Sequence, residues 1–246
     1  MSRTVVVTGG AKGIGRAIVE RFAALGDDVV ALGRDREALS RLQAEQAVRT
    51  ERCDVTDEQA VIETFGRLGD VDVLVNNAGF AESAPLARTT LASWGRHFDT
   101  NVTGPFLCMR AVLPRMRERG AGAMITVASV AGRIGAPYTS AYTASKHAAV
   151  GLMRAVASEV AGTGVRANAV CPAYVRTELT DRAIARIVEV TRRTEAESEQ
   201  ALADKSPLHR LLDPGEVADA VVFLASPAAV AINGQALVID GGGIQA

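Results

Sequence analysis

The stretch "VVVTGGAKGIGRAI", residues 5–18, sets three β-branched residues against a cluster of glycines and then passes straight into a helical pattern. A strand that leads through bare backbone to a helix start is suited to a phosphate, because unshielded N–H groups and the positive end of the helix dipole meet there. The spacing narrows which phosphate. A P-loop needs GxxxxGK and then Ser or Thr, but here Gly10 and Gly15 are followed by Arg16 and Ala17, so the Lys and the magnesium-binding hydroxyl are both absent. The GxGxxG dinucleotide fingerprint fails too, since Gly13 and Gly15 are followed by Ile18. What remains is Thr8-Gly9-x-x-x-Gly13-x-Gly15, which still offers backbone and a helix N-terminus to a pyrophosphate. A turn that needs glycine only for its shape would read the same way.

Bulk properties limit the partners. The chain has 246 residues and a formal net charge of −1, so it carries no electrostatic footprint for nucleic acid or an anionic membrane. Its cysteines, Cys53, Cys108 and Cys171, are scattered without CxxC or Cys/His spacing, which leaves a disulfide framework or a metal site unsupported. No apolar segment is long enough for a signal peptide or a membrane span, and a cytoplasmic protein is the expectation.

Apolar runs of strand length recur at residues 4–8, 27–32, 48–55, 71–79, 123–129, 165–172 and 235–240, with helical stretches between them. Seven such runs predict a parallel sheet covered by helices on both faces, in one domain spanning residues 1–246. Residues 181–205, "DRAIARIVEVTRRTEAESEQALADK", are charged, helical in period and without a strand. They read as an insertion over the sheet edge, and residues 178–206 as a helical lid on a substrate pocket.

Further motifs lie downstream. In "AYTASKHAAVGLMRAVASEV", residues 141–160, Tyr142 and Lys146 are four apart and share a helix face. An ammonium there would stabilise the Tyr142 phenolate and bring a phenol of pKa ~10 toward neutral pH. "ITVASVAG", residues 125–132, puts Ser129 just past the carboxyl end of a strand, where doubly wound sheets bind ligands. "VNNAG" (residues 75–79) and "DTNVTG" (residues 99–104) complete the set. Each has a plain structural alternative: a solvated helix face for the Tyr–Lys pair, a strand-end cap for Ser129, a helix kink at Asn101.

Taken in order, TGxxxGIG, NNAG, an isolated Asn, Ser, YxxxK and a Pro after the sixth strand resemble the short-chain dehydrogenase/reductase family over essentially the whole chain. The resemblance implies an α/β, Rossmann-like doubly wound sheet and an oxidoreductase that moves a hydride between a nicotinamide cofactor and a ketone or secondary alcohol. Carried over by position, Tyr142 protonates the carbonyl oxygen, Ser129 holds that oxygen, Lys146 lowers the Tyr pKa and binds the nicotinamide ribose, and Asn101 orders a water relay. Gly9, Gly13, Ile14 and Gly15 would hold the pyrophosphate, and Lys12 of the same loop would converge with Arg34 on the 2′-phosphate of NADP. Asp54 and Val55 would flank the adenine, Asn77, Ala78 and Gly79 the adenosine ribose, and Pro172, Val175 and Thr177 the nicotinamide. Asp54 equally reads as the helix N-cap of "DEQAVIETF". After the second strand Gly33 stands where an acidic residue would accept from the ribose of NAD, and Arg34 follows, so NADP(H) is preferred and NAD(H) is the alternative, with Asp35 then taking the ribose.

The chain departs from the family in places. Pro172-Ala173 replaces the usual Pro-Gly. The positions at which acyl-carrier-protein reductases carry basic residues read Gly120 and Thr163, although Arg119 is adjacent. Ala81, Ala131 and Thr139 stand where hydroxybutyrate enzymes clamp a carboxylate, which argues against a small free hydroxy acid. A largely apolar pocket from Ala131, Ile134, Tyr138, Ala173, Tyr174 and the 178–206 segment suits a ketone or alcohol of moderate size. Arg133 and Arg176 are candidate, though commonplace, contacts for an anion, and Cys171 has no base at readable spacing. Alternatives are an NAD-dependent alcohol dehydrogenase, a 3-oxoacyl thioester reductase and, in a different class, a cofactor-sensing protein without catalysis. By the same resemblance a homotetramer, or a homodimer, is expected.

Overall fold

The computed structural model describes residues 2–245. Seven strands, β1 (Thr4–Thr8), β2 (Asp28–Gly33), β3 (Arg49–Arg52), β4 (Val73–Asn76), β5 (Gly122–Val127), β6 (Val165–Pro172) and β7 (Ala236–Ile239), form one sheet in the order β3-β2-β1-β4-β5-β6-β7. Every pairing is parallel, so each strand's carboxyl end lies on the same edge. The order reverses between β1 and β4, which opens a crevice at that edge.

Side chains alternate between two cores with the period of a pleated strand. Val6, Val30, Leu74 and Met124 face one core, while their neighbours Val5, Val7, Val29, Val73, Val75 and Ile125 face the other. The helices in chain order are α1 (Gly13–Ala24), α2 (Arg36–Gln46), α3 (Glu58–Leu68), α4 (Leu91–Phe98), α5 (Gly104–Arg119), α6 (Ser140–Glu159), α7 (Glu178–Thr191), α8 (Glu195–Ala203) and α9 (Pro214–Ala225). Phe65 of α3, Met109 and Met116 of α5 and Met153 of α6 fill the first core. Ile18 and Phe22 of α1, Leu42 of α2 and Val221 of α9 fill the second. Both faces are therefore covered, as a parallel sheet requires.

The expected strands at residues 4–8 and 165–172 match β1 and β6 to the residue, and the others differ at their ends. The largest difference is β3: the run 48–55 shrinks to Arg49–Arg52, a polar edge strand, and Asp54 and Val55 leave the sheet. Asp54 is not the N-cap of the next helix. Asp57 is, its carboxylate accepting from Ala60 N at 3.1 Å, while Asp54 accepts from the Thr56 N–H and hydroxyl one turn earlier. The 181–205 segment is two helices, α7 closing on a left-handed Arg192 and α8 opening on a Thr194–Glu197 capping box. Ile184, Leu202 and Leu211 give it a small core of its own.

The β6–β7 edge depends on one buried side chain. Asn168 donates to Ile232 O and accepts from Gln235 N, each at 2.9 Å, and so pins the turn that delivers β7. Asn168→Ala leaves the Gln235 N–H without a partner and Ile232 O with only the longer bond from Arg166 Nη1 at 3.4 Å, at a cost of about 1–3 kcal/mol in unfolding free energy. Urea denaturation checks this, and a loss below about 1 kcal/mol would contradict the assignment.

Candidate active site

The crevice is built from the ends of β1 and β4. The buried Thr8 hydroxyl accepts from Asn77 N at 3.0 Å and Ala78 N at 3.1 Å and donates to Val75 O at 3.4 Å. Asn77 returns its side-chain NH₂ to Thr8 O at 2.9 Å and Gly9 O at 3.1 Å, which stitches the NNAG segment to the glycine loop. Gly15 is required by this closeness: a Cβ there would lie 2.2 Å from Gly9 O and 2.4 Å from Asn77 Nδ2. Gly9 has φ +63°, a left-handed conformation that an L side chain strains to adopt.

The loop delivers the chain to an uncapped helix. An Asp or Thr side chain caps α2, α3, α4, α7, α8 and α9, but Lys12 makes no cap at the start of α1 and no acidic residue sits in its first turn. Its N–H groups face the cavity that the expected site shares, so backbone donors are available there to an anion. A pyrophosphate-bearing dinucleotide fits a cradle of this kind.

That cavity, about 490 Å³, gathers most of the expected residues. Gly9, Lys12, Gly13, Ile14 and Gly15 form one end, Asn77, Ala78 and Gly79 the floor, and Ser129, Tyr142, Lys146, Pro172, Val175 and Thr177 the other walls. Arg34, Asp54 and Val55 are not on its wall. Val55 is buried against Gly104, and Arg34 reaches Asp54 at 3.7 Å. Asn101 lies behind the wall, in a π-helical turn (Asp99–Thr103) between α4 and α5. Its side chain accepts from Phe80 N at 2.8 Å and donates to Phe80 O and the Ser145 hydroxyl, each at 2.9 Å. Kink and polar contact therefore coexist at Asn101, and Ser129 likewise caps its turn by accepting from Ala131 N at 3.1 Å.

Ser129 and Tyr142 both line the cavity, with the Ser129 hydroxyl near enough to the phenol to influence its pKa. Lys146 Nζ donates to Val127 O at 3.0 Å and stands 5.7 Å from the centre of the Tyr142 ring. One expectation is corrected here. Burial pushes the Tyr142 phenol up to about 12, opposed only by the Ser129 hydroxyl, and it pushes Lys146 down to about 8. The physical reason is that the ammonium is bonded to a carbonyl away from the phenol, so desolvation outweighs its pull.

Other expectations resolve locally. Arg176 pairs with Glu199 at 2.7 Å, Tyr138 is exposed at φ +65° and off the cavity wall, and burial pushes the Cys171 thiol up, away from a nucleophile's range. His147 is on the surface, bonded to Thr143 O. Among the described residues no group of three or more His, Cys, Asp and Glu could hold a metal ion, and no helix is long and apolar enough to cross a membrane.

Sequence reasoning missed His97. It is fully buried, accepts from Glu82 N at 3.1 Å, donates to Ser93 O at 2.7 Å and packs its ring 6.3 Å from that of Tyr142. Nothing in the spacing of His97 signals this, because the contact crosses from α4 to α6. Arg182 and Lys205 on the cavity wall were also not singled out within the charged segment.

The comparisons with known proteins agree with this geometry. A family model described as enoyl-(acyl carrier protein) reductase matches residues 9–243. The 2-(R)-hydroxypropyl-CoM dehydrogenase of Xanthobacter autotrophicus is 39% identical, with 98% of each chain covered. The cis-4-hydroxycyclohexanecarboxylate dehydrogenase of Sinomonas cyclohexanicum is 39% identical over 98% of this chain and 96% of its own. Among solved structures, a variant of actinorhodin polyketide ketoreductase with NADPH superposes with a TM-score of 0.94 at 33% identity, over 98% of this chain and 97% of the other. With its sheet order, glycine cradle and Ser–Tyr–Lys constellation, the chain belongs to the short-chain dehydrogenase/reductase family of oxidoreductases.

Proposed function

We propose that the protein reduces a ketone of moderate size, or oxidises the matching secondary alcohol, with NADP(H) and with Tyr142 as the acid/base. The observation that carries this is that Ser129, Tyr142 and Lys146 gather on the wall of a mostly apolar cavity that runs on to the uncapped start of α1. The bound nicotinamide supplies the hydride. In the reducing direction Ser129 donates a hydrogen bond to the carbonyl oxygen, and Tyr142 gives that oxygen its proton. Lys146 holds positive charge beside the phenolate that Tyr142 becomes and contributes to the ribose site. Asn101 anchors Phe80 and Ser145, and we assign its π turn to the water relay that returns a proton through Lys146. The cofactor-sensing alternative is disfavoured because Ser129, Tyr142 and Lys146 are all assembled. A carrier-bound thioester is disfavoured because Arg119 is committed to Val71 O, Asp70 and Asp72.

The acid/base assignment has a direct test. Tyr142→Phe removes the proton and almost no volume, so turnover falls by about 10²–10⁴-fold while cofactor affinity by fluorescence titration stays within about twofold. The pH profile follows from burial. Lys146 is the first of the pair to lose its proton as pH rises, so kcat/KM for reduction is level in the acidic range and falls through about 8. Lys146→Arg keeps the charge and moves that limb upward. A profile level from about pH 6 to about pH 10, or substantial turnover by the folded Phe variant, contradicts the assignment.

The preference for NADP(H) rests on Lys12, Arg34 and the absence of a carboxylate at Gly33. A cleft beside the glycine loop adds Arg41, which has no ion-pair partner among the described residues. The competing NAD reading needs Asp35, but its carboxylate already accepts from Ala38 N at 3.1 Å as the N-cap of α2 and pairs with Lys12 at 3.0 Å. Both ions of that pair are exposed, so it is weak enough for a phosphate to displace. A Cβ at Gly33 meets only Leu39, at 3.6 Å or more, and the site accepts a side chain. Gly33→Asp with Arg34→Ser therefore shifts kcat/KM toward NADH by at least about tenfold. An unmodified enzyme that already favours NADH by that margin would return the role to Asp35.

A homotetramer is part of the same proposal. Leu91 of α4 is 88% exposed and Phe106 of α5 42%, and a second apolar face carries Phe223 of α9 and Val230 at 44% and 74%. Two separate apolar faces suit a tetramer with three two-fold axes, which closes once two different dyad interfaces form. Light scattering at micromolar concentration tests it, and a stable monomer contradicts it.

A further inference from the structure

We infer that the substrate carries an anionic group, a carboxylate or sulfonate, held by Arg182 and Lys205 at a distance from the reacting carbon. The inference rests on the proposed ketone and alcohol chemistry for the orientation of the substrate and goes beyond it in naming the class. The substrate-side wall is largely apolar, with Ala131, Ile134, Ala173, Leu179, Ala183 and the ring of Tyr174. Into this wall the segment after β6 puts two cations, Arg182 on α7 and Lys205 just beyond α8.

Neither cation is neutralised. Arg182 has no hydrogen bond or ion pair among the described residues, and the one contact of Lys205 is its ammonium 5.4 Å from the centre of the Tyr174 ring. That contact holds the charge against the cavity wall. The carboxylates on the wall are already engaged elsewhere. Glu178 lies 3.6 Å from Lys12 at the glycine-loop end, and Asp240 accepts from Gly242 N at 2.9 Å and Gly243 N at 3.2 Å. The remaining cation, Lys146, is buried behind Tyr142 and bonded to Val127 O. The substrate end thus carries two positive charges that form no ion pair among the described residues, beside a largely apolar surface. An apolar ketone leaves them unused, whereas a ketone with a remote oxyanion satisfies both halves of the wall.

Arg182 and Lys205 stand on α7 and just beyond α8, on different segments from Ser129 and Tyr142, and the wall residues Val130, Ala131 and Thr139 close to those hydroxyls in sequence supply no cation. An apolar body between carbonyl and anion, such as a six-membered ring, suits a wall of this composition.

Two measurements test this. In the first, 4-oxocyclohexanecarboxylate and its methyl ester are compared as substrates for the unmodified enzyme and for Arg182→Gln/Lys205→Gln. The unmodified enzyme should favour the acid by at least about tenfold in kcat/KM, and the double variant should lose most of that ratio while its ester kcat/KM stays within about threefold. In the second, the unreactive cyclohexanecarboxylate is titrated with NADPH present and followed by thermal shift. It should stabilise the unmodified protein and bind the double variant at least about tenfold more weakly, with cyclohexylmethanol binding both alike. A ratio near one in the unmodified enzyme, or one unchanged by the double substitution, overturns the anion handle and leaves the proposed chemistry standing. If no ketone turns over, the proposed chemistry fails and the titration decides the handle alone: charge-dependent binding supports it, and equal binding by both proteins overturns it.

Discussion

The Thr8 hydroxyl is the contact on which the crevice depends. A threonine hydroxyl offers one donor and two acceptor sites, and in this position all are taken: it accepts from Asn77 N and Ala78 N and donates to Val75 O. β1 pairs with β4 through Val7 and Val75, and beyond that register the two chains diverge into separate loops. Without the hydroxyl, two N–H groups in a nearly dry position would have no partner, at about 1–3 kcal/mol each. The same closure brings Asn77 onto Thr8 O and Gly9 O, which is why position 15 has no room for a Cβ. The glycine cradle is thus a consequence of how two strand ends are sealed. Asn77 serves as a brace of the loop, and the bare N–H groups of α1 are left as the free donors.

Burial governs the second half of the site in a less intuitive way. The α-helical spacing of Tyr142 and Lys146 puts them on one face, and from that alone the ammonium should acidify the phenol. Removing both from water disfavours each charged form, and the ammonium spends a donor on Val127 O. The phenol is therefore held protonated, as a donor for reduction requires, while Lys146 is left near the pH at which its own charge becomes conditional. His97 and Asn101 contribute by fixing what surrounds the pair: one backs the Tyr142 ring and both hold the Phe80–Glu82 loop. The rigidity of the site comes from α4 and the π turn as much as from α6.

Much of this was legible in the chain. Near-continuous runs of Val, Ile and Ala mark strands buried on both faces, and "TVVVT" and "VRANAVCP" give β1 and β6 to the residue because clear breakers flank them. β3 was overextended because "RTERCDV" mixes polar strand formers with Cys53 and Val55, which are buried by α3 and α5 after the strand has ended. Asp54 and Asp57 are both plausible caps by composition, and only the turn between them decides in favour of Asp57. Local signals of this kind fail by a few residues and no more.

Pairing is a different matter, because it is settled by residues far apart in the chain. Arg176 and Arg182 sit six positions apart, on either side of the start of α7, and look alike in sequence. Arg176 is neutralised by Glu199 of α8, while the Arg182 side chain lies on the cavity wall without a partner among the described residues. Lys12 shows the converse, since a cation of the glycine loop proves to be shared between Asp35 of the β2–α2 turn and Glu178 at the start of α7. With a formal charge of −1 spread over 27 basic and 28 acidic residues, bulk electrostatics says almost nothing about any site. What matters chemically is which few charges the fold leaves unpaired beside apolar surface, and that is decided by how α7 and α8 pack on each other around Ile184, Leu202 and Leu211.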